Sequence, residues 1–209
     1  MESLRPQNRI GIFGGTFNPV HMGHLVMAQD ALELFELSKV IFVPCACPPH
    51  KTSSDVASAE HRLAMLQVAL EGDLRFEVSD IEILRGGVSY SIDTAREIKK
   101  LHPGSEMFFI IGADSLPELR LWKEISQLLD LYSFVTIARP GVDLNDPGLR
   151  DPMPGDPRSL LLRDQVRIGH LINISSTDIR YRIAEGMSIR YLVHPAVEMY
   201  IAEHSLFRQ

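Results

Sequence analysis

A glycine-rich turn followed by two histidines is the segment with the clearest potential for chemistry. Gly14 and Gly15 end a short apolar stretch, and His21 and His24 open a helix-like run. Glycines allow a tight turn and a close approach to a ligand, and residues three apart share one helix face. A helix start also offers unpaired N–H groups that bind anions. The segment therefore predicts a phosphate site; the alternative is a glycine turn with two surface histidines.

Two shorter segments also follow predicted strands and carry charged side chains. His50 and Lys51 come after a pair of prolines that stiffen the loop, although a loop lysine by itself is usually only solvated. Farther along, Gly112 permits a close approach, and Asp114 could accept hydrogen bonds from ribose hydroxyls. Asp114 could equally be the N-cap of the helix that follows.

Three hydroxyl side chains, Ser175 to Thr177, stand where the last predicted strand gives way to a helix. Hydroxyls and free N–H groups at that position suit an anion, and Arg180 lies one turn further on. By itself the cluster fits an ordinary helix cap with a solvent-facing arginine. Paired with the glycine turn, it predicts the second half of a polyphosphate site.

The segment from Tyr90 to Thr94, together with the single tryptophan Trp122, suggests a pocket for a flat aromatic acid. The ring would stack on Trp122, and helix-start amides near Ser91 would hold the carboxylate. The alternatives are that Ser91 or Asp93 caps the helix and that Trp122 packs in the core.

These segments need a scaffold that gathers strand ends, and strands and helices do alternate along the chain. We expect strands near 9–13, 39–44, within 76–84, 106–112, 133–138 and 166–174, and helices near 21–37, 59–70, 92–101, 116–131 and 195–204. The alternation predicts an α/β fold, a doubly wound, Rossmann-like parallel sheet with helices on both faces and ligands beyond the strand carboxyl ends. We expect one domain over 1–209 with a small helical C-terminal part from about 175 to 209, and a surface loop at 140–158.

Composition narrows the function classes. With 45% hydrophobic and 23% charged residues, the 209-residue chain can form a normal core. The net charge of −6 argues against non-specific nucleic-acid binding. No apolar run reaches membrane-spanning length and no signal peptide is evident, so we expect a cytoplasmic protein without a membrane partner. Cys45 and Cys47 are too close for a structural bridge and have no companion ligand pair, which predicts free thiols.

The sequence also lacks several familiar motifs. It contains no GxxxxGK[ST], GxSxG or HExxH pattern and no GxGxxG after the first strand. These absences argue against P-loop ATPases, the corresponding hydrolases and NAD-dependent dehydrogenases.

Five segments together resemble the bacterial nicotinate-nucleotide adenylyltransferases of the HxGH nucleotidylyltransferase superfamily. They are GGTFNPVHMGHL, PPHK, YSIDT, FFIIGADSLPELRLW and ISSTDIRYRIAEGMSIRYLVHPAVEMYI, spread over residues 10–201. The shorter pantetheine-phosphate and cytidylyl-transferring relatives share the HxGH segment but are not expected to combine YSIDT with GADSL and the tryptophan. Two departures are that Ser91 stands where the family often has Thr, and that the 140–158 loop is long.

The resemblance implies an enzyme of NAD biosynthesis that transfers the adenylyl group of ATP, accompanied by Mg²⁺, to nicotinate mononucleotide and releases pyrophosphate. It implies that His21, His24 and Lys51 are catalytic and that no metal is held by the protein. The residues it implies for ATP are Gly14, Gly15, Thr16, Phe17, His21, His24, Gly112, Asp114, Ser176, Thr177 and Arg180, and those for the mononucleotide are Lys51, Ser91, Trp122 and Arg139. The alternatives are an enzyme that prefers nicotinamide mononucleotide or uses both, and a catalytically silent nucleotide-binding module.

Overall fold

Six parallel strands form one sheet at the centre of the molecule. The computed structural model describes residues 8–47, 56–138, 146–170 and 172–208. The strands are β1 (Arg9–Gly15), β2 (Lys39–Pro44), β3 (Phe76–Val78), β4 (Glu106–Gly112), β5 (Ser133–Ala138) and β6 (Val166–Ile168). They lie in the order β3-β2-β1-β4-β5-β6, and every neighbouring pair is parallel. The predicted doubly wound parallel sheet is confirmed.

Helices connect the strands. They are α1 (Met22–Leu34), α2 (Ala59–Leu70), α3 (Ile81–Arg85), α4 (Ser91–Leu101), α5 (Ile125–Leu131), α6 (Pro147–Arg150), α7 (Ser159–Asp164), α8 (Ser176–Ala184) and α9 (Pro195–Glu203), with a 3₁₀ helix at Ala113–Leu121. Ser58 starts α2 by accepting from the His61 N–H at 3.4 Å, as N-cap serines do. In the part of the chain described, no helix is long and apolar enough to cross a bilayer.

Each face of the sheet is covered by its own hydrophobic cluster. Residues of α1, α2, α8 and α9 pack on one face, and residues of α4, the 3₁₀ helix, α5, α6 and α7 pack on the other. The inner strands β1, β2, β4 and β5 are almost continuously buried, as expected for a parallel sheet with both faces covered. The prediction of helices on both faces is confirmed.

The two edge strands, β3 and β6, have three residues each. Within the expected stretch 76–84, β3 covers Phe76–Val78, and α3 begins at Ile81 after a turn in which the Ser79 hydroxyl accepts from the Ile81 N–H at 3.4 Å. The strand expected over 166–174 ends at Ile168. Ile168 pairs with Ala138, the last residue of β5.

The proline-rich stretch, described from residue 146 onward, is only partly the expected surface loop: much of 151–158 is irregular and exposed. It contains α6, and its Leu149 and Met153 side chains are buried in the cluster on the α4 face. The many prolines and aspartates of 140–158 masked this short apolar contribution to the core.

Candidate active site

The predicted site segments that are described lie at the carboxyl edge of the sheet. The loops after β1, β2 and β4 leave from this edge, and α1 begins there directly after the β1 loop. The strands β1 and β4 are neighbours in the sheet. From β1 the chain continues to β2 on one side, and from β4 it continues to β5 on the other side. Such a switch point opens a crevice beyond the strand ends, the usual ligand position in a doubly wound fold.

The glycine turn is built around a buried phenylalanine. A Cβ on Gly15 would lie 2.9 Å from the ring of Phe17, so only glycine fits there. Phe17 has a φ of 48°, and its side chain is 2% exposed, packed in the core beneath the turn. The Phe17 ring is therefore unavailable to a ligand, and its predicted role in ATP binding reduces to its backbone. Gly14 and Thr16, by contrast, are at least partly exposed.

His21 and His24 lie together, as their spacing predicts. Their rings stack with centroids 3.7 Å apart, and the His24 ring also meets the edge of Phe17 at 5.0 Å. The His21 N–H donates to Nδ1 of His24 at 3.3 Å. Because Nδ1 accepts this bond, the neutral ring carries its proton on Nε2, which makes Nε2 a donor suited to a phosphate oxygen.

The expectation of unpaired amides at the start of α1 is wrong for two positions. The Met22 N–H donates to the Leu192 carbonyl at 2.9 Å, and the His24 N–H donates to the His21 carbonyl at 2.9 Å. The first bond ties α1 to the segment before α9. Fewer amides at this helix start are therefore open to an anion than the sequence suggested.

The two predicted phosphate-binding segments touch each other. The Ser176 hydroxyl donates to the Pro19 carbonyl at 2.9 Å, and Arg180 Nη1 donates to the Asn18 carbonyl at 2.9 Å. Arg180 Nη2 also approaches the Thr177 hydroxyl at 3.4 Å. Ser175 does cap α8, since it accepts from the Asp178 N–H at 3.1 Å. The alternative of a plain cap is thus correct for Ser175, whereas a solvent-facing Arg180 is wrong.

The start of α4 differs from both predicted caps. Tyr90 is the N-cap, and Ser91 is the first helical residue. Asp93 pairs instead with Lys123 Nζ at 3.2 Å and Arg96 Nη1 at 3.7 Å. The Lys123 ammonium also lies 4.4 Å from the centre of the Tyr90 ring. These contacts bring the segment that carries Trp122 to the start of α4.

Trp122 is half-buried and packs edge-on against Phe109 at 5.9 Å. It is also one of the residues packed against the hydrophobic cluster on the α4 face. The core-packing alternative is therefore correct for part of the side chain, and its exposed part is what could meet a ligand ring.

The segment after β4 forms the start of the 3₁₀ helix. Gly112 is buried and forms the N-cap of the 3₁₀ helix, while Asp114 is exposed at the second helical position. The N-cap alternative for Asp114 is therefore wrong. Lys51 and Arg139, together with His50, lie outside the described residues.

Three buried polar side chains around these loops were missed by the sequence reasoning. They are Asn18, Arg62 and Glu82. Asn18 Oδ1 accepts from the Ala57 N–H at 3.0 Å. A signal existed for Arg62, since it precedes the buried Met65 and Leu66 by three and four residues and so shares their helix face.

Two titratable groups near the site are shifted by burial. Burial raises the pKa of the Cys45 thiol, and it also raises the pKa of the Glu82 carboxyl, which accepts from Ser89 and Thr94. Both cysteines are free thiols, as predicted. Within the described ranges, no group of three or more His, Cys, Asp or Glu side chains could hold a metal ion.

A doubly wound sheet with stacked histidines at its switch point indicates an α/β protein that binds a ligand at the strand ends. The model of the cytidylyltransferase-like family matches residues 12–182. Proteins named "Probable nicotinate-nucleotide adenylyltransferase" are 45% identical in Opitutus terrae, over 96% of this chain and 98% of that protein, and 44% identical in Thermus thermophilus, over 96% and 100%. The chain therefore belongs to the nicotinate-nucleotide adenylyltransferase family and is an enzyme of NAD biosynthesis.

Solved structures agree on the fold. The Plasmodium falciparum nicotinic acid mononucleotide adenylyltransferase, solved in complex with NaAD, superposes with a TM-score of 0.73 at 21% identity, over 96% of this chain and 97% of that one. The architecture is therefore the same, although the sequences have diverged far.

Proposed function

We propose that this chain transfers the adenylyl group of ATP to nicotinate mononucleotide, producing nicotinate adenine dinucleotide and pyrophosphate. The observation that carries the proposal is the direct contact between the two phosphate-binding segments, Arg180 to the Asn18 carbonyl and Ser176 to the Pro19 carbonyl, both 2.9 Å. These bonds hold the start of α8 against the loop that leads into the histidine pair, and they support a single polyphosphate site shared by the two segments. Family membership identifies the two substrates.

The reaction needs charge stabilisation more than proton transfer. The nucleophile is a phosphate monoester oxygen, whose second pKa of about 6 leaves it ionised at neutral pH. No general base is required, so the enzyme can act by positioning the two substrates and stabilising charge on the transferred phosphoryl group. We assign that stabilisation to His24, whose Nε2 is the donor left by the backbone bond to Nδ1. His21, Lys51, Thr16, Ser176, Thr177 and Arg180 would hold the triphosphate and the leaving pyrophosphate.

We propose that Mg²⁺ enters as part of the substrate, bound to ATP. Mg²⁺ keeps several waters and binds phosphate oxygens readily, so it does not need a cage of carboxylates. We expect the triphosphate and water to hold the ion.

We assign the acceptor to the start of α4, with Gly112 and Asp114 near the ATP ribose. Ser91 and the partly exposed Trp122 flank the helix start, and Arg139 would contribute from beyond β5. The pairing of Asp93 with Lys123 and Arg96 favours the acid form of the mononucleotide, because the only carboxylate in the YSIDT segment is already engaged by two cations. The free thiols and the net charge of −6 support a cytosolic enzyme of small molecules without a nucleic-acid partner.

Pyrophosphate release by the purified protein tests the proposal. The protein is given Mg²⁺·ATP with nicotinate mononucleotide, with nicotinamide mononucleotide, or with neither. We expect release with the nicotinate form well above the other two reactions. Equal release with both mononucleotides would support the dual-specificity alternative, and ATP binding without any release would support the silent module.

A further inference from the structure

Arg62 on α2 is a charged side chain in the interior of the protein. It is only 1% exposed. Its Nε donates to the Ala57 carbonyl at 2.9 Å, its Nη1 to the Thr16 carbonyl at 2.9 Å, and its Nη2 to the Ala46 carbonyl at 3.1 Å. Nη1 also approaches the Cys45 sulfur at 3.7 Å. One planar guanidinium therefore joins the loop after β1, the exit of β2 and the segment before α2.

The exit of β2 is fixed from its other side by the segment before α4. The Ala46 N–H donates to the Ser89 hydroxyl at 3.0 Å, and the Ser89 N–H donates to the Cys47 carbonyl at 3.3 Å. Ser89 also bonds the buried Glu82 carboxyl and directly precedes Tyr90, the N-cap of α4. A continuous series of hydrogen bonds thus runs from Thr16 through Arg62, Ala46 and Ser89 to the start of α4.

Stability alone does not account for a guanidinium here. Among the described residues, the acceptors of Arg62 are neutral carbonyls and a thiol, with no carboxylate in ion-pair contact. A buried charge without a paired carboxylate is costly, and an apolar side chain of similar volume usually packs as well or better. What an apolar residue cannot do is hold three separate backbone segments in one fixed orientation, as the rigid fork of an arginine does.

We propose that Arg62 is a positioning residue that aligns the ATP half of the site with the acceptor half, without contacting either substrate. The inference rests on the proposed function, in which Thr16 belongs to the ATP half and the start of α4 to the acceptor half. The two reacting phosphates must meet in line, and a misplacement of about 1 Å can cost about a hundredfold in rate. Arg62 sets the separation of the two segments that carry them.

Arg62→Lys tests this role, because lysine keeps the charge but can reach only part of the acceptor set. We expect kcat for pyrophosphate release to fall about ten- to a hundredfold. The Kd of ATP and the Kd of nicotinate mononucleotide, each measured alone by titration calorimetry, should change less than about threefold, because each half of the site remains intact. A role confined to folding would lower the melting temperature without this separation of kcat from binding.

Met65→Ala is the matched control, since Met65 is fully buried on the same helix and belongs to the core. It should lower the melting temperature and leave kcat of the folded enzyme unchanged. Ser89→Ala provides a second test that keeps Arg62 in place. It removes the acceptor of the Ala46 N–H and should reduce kcat about three- to tenfold, again with little change in either Kd.

The outcomes separate this inference from the proposed function. Wild-type protein that releases no pyrophosphate from ATP in the presence of either mononucleotide would overturn both. An active wild type would overturn the inference alone if folded Arg62→Lys kept its kcat, or if its whole loss lay in the affinity for one substrate. If Arg62→Lys does not fold, unchanged turnover in Ser89→Ala overturns the inference, and the expected kcat loss supports it.

Discussion

His24 is the side chain on which we expect turnover to depend most. Its ring is held by His21 on one side and by the edge of Phe17 on the other, and its Nδ1 is fixed by a backbone N–H. Such a preorganised donor is worth on the order of 10²–10³ in rate at a transferring phosphoryl group. His24→Ala should therefore lower kcat by that factor while the protein stays folded.

Steady-state pyrophosphate release and thermal unfolding, measured on the same His24→Ala preparation, check this expectation. His102→Ala is a suitable control, because His102 follows α4 at the amino edge of the sheet, away from the site. It should keep wild-type kcat. A folded His24→Ala enzyme with unchanged kcat would exclude His24 from the chemistry.

Arg180 has two functions in the structure, and its removal should reveal both. It braces the β1 loop through the Asn18 carbonyl and presents a cation beside Thr177. Charge-assisted hydrogen bonds are worth roughly 1.5–3 kcal/mol, so Arg180→Ala should weaken ATP use by about ten- to a hundredfold in kcat/KM. Lys51→Ala is expected to act in the same direction.

Arg182→Ala is the matched control for Arg180→Ala. Arg182 lies on the same helix but donates to the Ser188 carbonyl at 2.9 Å. Its loss should leave ATP kinetics unchanged. If Arg180→Ala also kept wild-type kinetics with ATP, ISSTDIR would be a helix cap with no part in phosphate binding.

For single residues, the sequence predicted which side chains lie together better than it predicted their hydrogen-bond partners. The spacing of His21 and His24 was enough to place two rings on one face. The carbonyl acceptors of Arg180 and Ser176 were not predictable, because the β1 loop and α8 are about 160 residues apart in the chain and nothing in either segment encodes the other. The buried role of Arg62 was also missed, since a basic residue on a helix is usually solvated.

Among the elements, α4 is the one to which we assign the choice of acceptor. A carboxylate can accept from two helix-start N–H groups, whereas a carboxamide must turn its NH₂ toward one of them. Mispairing a buried polar group costs about 1–3 kcal/mol, or about ten- to a hundredfold. We therefore expect the enzyme to prefer nicotinate over nicotinamide mononucleotide by at least about tenfold in kcat/KM.

Both kcat/KM values are to be measured at the same Mg²⁺·ATP concentration. Lys123→Ala is an informative companion, since Lys123 holds Asp93 at 3.2 Å. Releasing Asp93 leaves a less neutralised carboxylate near the acid and should reduce the preference. Equal kcat/KM values in the wild type would show that the site recognises the ring and ignores the acid.

The elements themselves were predictable where burial is strongest. The central strands β1, β2, β4 and β5 are continuous apolar runs, and their positions follow from the sequence alone. The sequence was least informative at the two edge strands: it left the extent of β3 within 76–84 open, and it extended β6 to 174, whereas β6 ends at Ile168. Nothing in the sequence of 166–174 indicates how many of these residues pair with β5.

On the scale of the whole molecule, two cores share one sheet. Strand residues alternate between the two clusters, and α8 and α9 pack into the same cluster as α1 and α2. The sequence predicted the two-faced sheet from its alternating elements. It did not predict that α9 would join the core. The sequence of a short C-terminal helix indicates its apolar face but not the surface on which that face packs.

This arrangement leads to our last prediction, that residues 1–209 unfold as one domain, including the helical part from about 175. Leu128 is buried on the α4 face, and Ile201 of α9 is buried on the opposite face. Truncating either to alanine should cost about 2–5 kcal/mol. Each kcal/mol lowers the melting temperature by about 2–4 °C in a protein of this size. Because the clusters share the sheet, scanning calorimetry should show a single transition that moves as a whole in both variants.

Leu160→Ala, which changes an exposed leucine on α7, serves as the control and should leave the transition in place. A second peak that moves alone in Ile201→Ala would show that the C-terminal helices form a separate folding unit.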